Sequence, residues 1–119
     1  MERATLEQKE ISQSPGSVWL GRIARLFPGA TPVRIPVSVA GACPRVADMA
    51  EETVIEFGTS DTIFFSSDLP LEINDLILVH NDEGTLEADA VIMAVQHSED
   101  CRAVAAKFLW PVPNWILKP

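Results

Sequence analysis

Between residues 51 and 95 the chain alternates apolar and polar residues in short runs, and each run stops at Gly, Asn, Asp, Ser or Pro. A period of two sends successive side chains to opposite faces of an extended backbone, so this pattern calls for a sheet with at least one buried face. Strands are expected over residues 53–57, 62–66, 75–80 and 85–95. In the last of these Leu86, Ala88, Ala90, Ile92 and Ala94 share one face, while Thr85, Glu87 and Asp89 begin the other. The second face turns apolar at Val91, Met93 and Val95, which implies that another part of the chain covers the sheet there.

The flanking segments extend the same scheme. Residues 32–40 (PVRIPVSVA) are rich in β-branched side chains, and Pro36, having no N–H to donate, belongs at an edge or a bulge. Residues 102–110 form a further strand with Val104, Ala106 and Phe108 on one side. Residues 18–27 (VWLGRIARLF) fit both a strand and a short helix before Pro28 and Gly29 end the run. Connections are expected at 41–50, 58–61, 68–74, 81–84 and 97–101, with Asn81, Asp82, Glu83 and Gly84 the strongest turn signal. Residues 1–16 are expected as a flexible N-terminal tail and 17–119 as a single domain. In the last residues, broken by Pro111 and Pro113, Trp115, Ile116 and Leu117 are available to cap an open barrel end.

Six or seven short strands at hairpin spacing, without alternating helices, define the all-β class: a small antiparallel barrel or sandwich. A barrel is the economical choice, since closure removes unpaired strand edges. Trp19, Phe64, Phe65 and Phe108 are its expected large core fillers. With 119 residues and 47% hydrophobic content the chain is long enough for one core.

Charge and cysteine content limit the function. Six basic residues face three acidic ones through Val46, but from Ala47 onward three face fourteen, for a net charge of −8. Such a body repels polyanions, so no nucleic acid is expected as partner. No run approaches the ~20 apolar residues of a membrane span and the first residues have no apolar leader core, so a cytoplasmic protein without membrane insertion is expected. Cys43 and Cys101 have no ligand spacing and are expected as ordinary thiols, a single bridge being the alternative. His80 beside Asp82 and Glu83, and His97 beside Glu99 and Asp100, fall in solvated turns with no nucleophile spaced near them. Neither catalysis, a metal site nor a cofactor is expected.

The run DTIFFSSDLPLEINDLILVH, then GTLEADAVIMAV, then AVAAKFLWPVPNW resembles the bacterial PilZ domain over roughly residues 32–115. PilZ domains that take cyclic di-GMP use an RxxxR segment before the barrel and a [D/N]xSxxG turn, because guanidinium forks hold phosphate in pairs and the turn allows close approach. Here the segment reads Ala30, Thr31, Pro32, Val33, Arg34, so only the second arginine is present. In the turn Gly58 stands at the serine position and Asp61 at the glycine position, the latter adding bulk and negative charge toward a dianionic ligand. One lost bidentate arginine forfeits about 1.5–3 kcal/mol.

The resemblance therefore implies a non-catalytic, degenerate PilZ-like regulatory or adaptor domain. It would act through a bacterial protein partner in motility, surface attachment or signalling, with Trp110 and Trp115 as the contact surface. A mere capping role for these tryptophans is the alternative. Arg34 is expected to pair with Glu51, Glu52 or Glu56. The alternative function is a receptor for cyclic di-GMP or another nucleotide, gripped by Arg22, Arg25 and Arg34.

Overall fold

The computed structural model describes residues 15–97, 101–113 and 115, with side chains from Leu20 onward. Six strands, β1 (Thr31–Gly41), β2 (Ala50–Gly58), β3 (Thr62–Ser67), β4 (Leu76–His80), β5 (Glu87–His97) and β6 (Arg102–Phe108), close into an antiparallel barrel. The order around it is β1-β2-β3-β6-β5-β4, and every neighbouring pair is antiparallel. Alternation sends Val37, Val39, Ile55, Ile63, Phe65, Ile77 and Val79 into the interior, where they form one cluster with β5, β6 and two end plugs, Val46 and Leu71.

Phe64 and Phe65 are both fully buried although they are consecutive on β3. Adjacent strand residues face opposite ways, so both faces of β3 must be covered. Phe65 fills the barrel, as does Phe108. Phe64 points outward and is covered by α1 (Pro15–Ala24), which corrects its expected place inside the barrel.

Leu20, Ile23, Ala24 and Phe27 recur at i, i+3, i+4 and i+7, and this stripe packs on Phe64, Ala103 and Ala105. The ring of Phe27 meets that of Phe64 edge-on, centroids 5.0 Å apart. The ambiguous run 18–27 is thus a helix and its closing turn, decided by the outward faces of β3 and β6 that it has to cover. Pro15 and Gly16 belong to this helix, not to a tail; proline is well suited to a first helical turn, where no N–H is required. Gly29, at φ 84°, takes the left-handed conformation that releases the chain into β1. Residues 1–14, the side chain of Trp19, residues 98–100, and Ile116 and Leu117 lie outside the described residues.

Bulges reset the alternation twice. On β5, Ile92 pairs with Ala106 but Ala94 pairs with Ala105, so Met93 is one residue extra. Beyond it the faces exchange: Ala94 packs outward beside α1 and Val95 inward against the core, opposite to the uninterrupted alternation expected. The cover expected over Val91 and Met93 lies over Ala94 instead, leaving Met93 exposed. On β2, Ile55 pairs with Phe65 and Phe57 with Phe64, so Glu56 is the extra residue, and β1 sets Val33 and Arg34 against it.

Pro32 and Pro36 occupy the half of β1 that pairs with β2 alone; β4 joins only from Ser38 to Gly41. There a missing N–H costs the sheet least. Cys43 and Cys101 are not joined in a disulfide. Among the described residues no helix is long and apolar enough to cross a membrane.

Candidate functional site at the tryptophan end of the barrel

The turn between β2 and β3 is built by its own hydroxyls. Thr59 Oγ1 accepts the N–H groups of Asp61 (3.2 Å) and Thr62 (3.1 Å), and Asp61 Oδ1 accepts the hydroxyls of Thr59 (3.1 Å) and Thr62 (3.0 Å). Those two hydroxyls, Thr62 first, hold the Asp61 carboxyl below the usual carboxylate range. The Asp61 carbonyl accepts the Phe108 N–H at 2.8 Å, tying the turn to the end of β6. Asp61 thus has a structural task in this turn.

Trp115 folds back onto this turn. Its Nε1–H is shared between the carbonyls of Thr59 and Ser60, both at 3.1 Å, and its ring meets Phe108 edge-on at 5.4 Å. The indole lies directly over Gly58: a Cβ at that position would come within 2.3 Å of Trp115 Cη2. Residue 58 is glycine because a ring occupies the space a side chain would need.

Beside this plug runs an open groove of about 700 Å³, lined by Ser60, Asp61, Lys107 and the segment from Leu109 to Pro113. The two tryptophans singled out in the sequence both border it but differ in state. Trp115 is 5% exposed and serves as the barrel cap, with little ring left for a partner, whereas Trp110 is 64% exposed. Leu109 beside it is 42% exposed, so the accessible apolar surface here belongs to residues 109–110.

Arg22, Arg25 and Arg34 are exposed, the first two on α1 and just after its end, the third in the β1 bulge across from Glu56. None of them lines the groove. Of the acids proposed for Arg34, Glu51 is engaged elsewhere: it accepts the Ser67 hydroxyl and the Asp68 N–H.

The opposite end of the barrel holds a constellation that strand periodicity does not reveal. Asp75, almost fully buried, accepts Arg45 Nε at 3.0 and 3.2 Å and the Glu72 N–H at 2.8 Å, with the Cys43 thiol 3.8 Å away. Arg45 also donates to the Pro70 carbonyl, so it pins the short helical turn Pro44–Val46 to the bend before β4. The Arg45 hydrogen bonds outweigh burial and hold the Asp75 carboxyl below its usual range. Asn74 makes the bend by adopting φ 80°. The only hint in the sequence is a charged residue placed directly before the apolar run of β4. Among the described residues no group of three His, Cys, Asp or Glu is placed to hold a metal.

Set against known proteins, the sequence matches no family profile and no curated protein.

Proposed function

We propose that this chain is a non-catalytic, PilZ-like regulatory or adaptor domain of the bacterial cytoplasm. In this reading it acts through protein contacts in motility, surface attachment or signalling, and does not take cyclic di-GMP through the family's usual motifs. The observation that carries the proposal is the indole of Trp115 lying on Gly58, where the motif's serine would stand. A nucleotide approaching that turn meets a ring already hydrogen-bonded to Thr59 and Ser60 and an ionised Asp61 beside it. The contact surface then falls to exposed Trp110 and Leu109. Exposed aromatic side chains of this kind are enriched at interfaces.

The test is a calorimetric titration with cyclic di-GMP, read together with amide shifts. No heat at micromolar ligand is expected. Saturable binding with shifts at Arg22, Arg25 and Arg34 would replace this proposal with the nucleotide-receptor reading.

A further inference from the structure

We propose that the groove beside Trp110 receives a short, extended, basic segment of a partner protein, with an arginine or lysine laid across the exposed face of the indole. This rests on the protein-contact reading above and names the chemistry of the partner.

The groove is preformed. Pro111 and Pro113 on its wall have fixed φ angles, and Trp115 behind them is anchored by its shared N–H. A segment entering it therefore meets a surface that loses little freedom on binding. Walls of proline and tryptophan suit an extended segment, which brings apolar side chains and needs no backbone pairing. A volume of about 700 Å³ holds a few residues and no folded element.

The sign of the partner follows from charge. The chain carries −8, so a second copy of it, an acidic peptide or a polyanion approaches against repulsion, while a basic segment is drawn in. At the groove, Asp61 stays ionised because two threonine hydroxyls hold it. Exposed indole faces attract guanidinium and ammonium groups through the ring quadrupole. Lys107, a cation among the described lining residues, sits across the β3–β6 pairing from Thr62 and already faces Asp61, so it competes for that carboxylate and leaves the partner's basic side chain the exposed face of Trp110.

The experiment uses the full chain and two synthetic octapeptides of alternating proline, leucine and charged residues, one with arginine and one with glutamate. Amide shifts and calorimetry are recorded at low and high salt, on the wild type, Trp110→Ala and Lys107→Gln. The arginine peptide is expected to shift Asp61, Leu109 and Trp110 saturably. Its binding should weaken about tenfold with the glutamate peptide or at high salt, and disappear in Trp110→Ala, whose exposed ring leaves the fold intact. Lys107→Gln should bind the arginine peptide more tightly. Equal binding of both peptides, or arginine-peptide shifts confined to other surfaces, overturns the inference. If the glutamate peptide alone binds at Trp110, the basic-partner inference fails and the protein-contact reading stands. If neither peptide binds, the basic-segment inference fails; a partner isolated on the wild type and equally retained by Trp110→Ala overturns the protein-contact reading at Trp110 as well.

Discussion

The ring of Trp115 rests on the backbone of Gly58, so close that a methyl group at residue 58 would lie 2.3 Å from Cη2. Gly58→Ala is therefore expected to lift the ring and lower stability by about 1–3 kcal/mol. Trp115→Ala, which empties the cap, should cost about 3–5 kcal/mol. The two effects share one contact, so in the double variant the alanine at 58 should add almost nothing. Urea denaturation of the four proteins measures this coupling, and simple additivity would contradict the contact.

Asp75 makes stability depend on acidity in a defined direction. Its folded pKa lies below the unfolded value of about 3.9, so the unfolded chain binds the proton more readily. Its contribution is complete above the unfolded value and is lost as pH falls through it toward the lower folded one. Asp75→Asn should be less stable by about 2 kcal/mol at pH 7, and the gap should narrow at pH 3. Urea midpoints at the two pH values test this; a gap independent of pH would exclude the charge as its cause.

Phe64→Ala removes the residue on which α1 docks. The interior, filled by Ile63 and Phe65, is left in place, so a loss of about 3–5 kcal/mol should be accompanied by a folded barrel. Hydrogen exchange should quicken in residues 20–24 relative to β3 and β6. Equal acceleration everywhere would mean that helix and barrel open as one unit.

Gly41 faces a harder obstacle than Gly58. A Cβ there would stand 1.8 Å from the Val46 carbonyl oxygen, which is backbone and cannot rotate away. Gly41→Ala should displace the turn that carries Arg45 and cost about 3 kcal/mol. Weakened amide protection at Val46 and Met49, with β6 unaffected, is the expected pattern.

The strands were readable because half-buried sheets write a period of two into the chain, and the starts of β3 and β6 follow it to the residue. What escaped that reading has a common cause. Met93 and Glu56 interrupt the period by one residue, and a bulge leaves no composition signal, so the side on which Ala94 and Val95 fall could not be assigned from alternation alone. Phe64 was recognisable as a large buried residue, but which of two cores it joined depended on α1, whose own helical stripe was compatible with a strand. The pairing of Arg45 with Asp75 spans thirty residues and arises from barrel closure, a relation that local spacing does not carry. At the tryptophan end Trp115 was legible as a cap. That Gly58 is shaped by Trp115, 57 positions later, was not.

The two prolines of β1 have a consequence for the protein in a crowded solution. Among the described residues, the first half of that strand pairs on one side only, and an unpaired strand edge is a place where a foreign strand can begin to add. An incoming chain meets Pro32 and Pro36 there, two positions with no N–H to offer, so that edge is a poor template for a further strand.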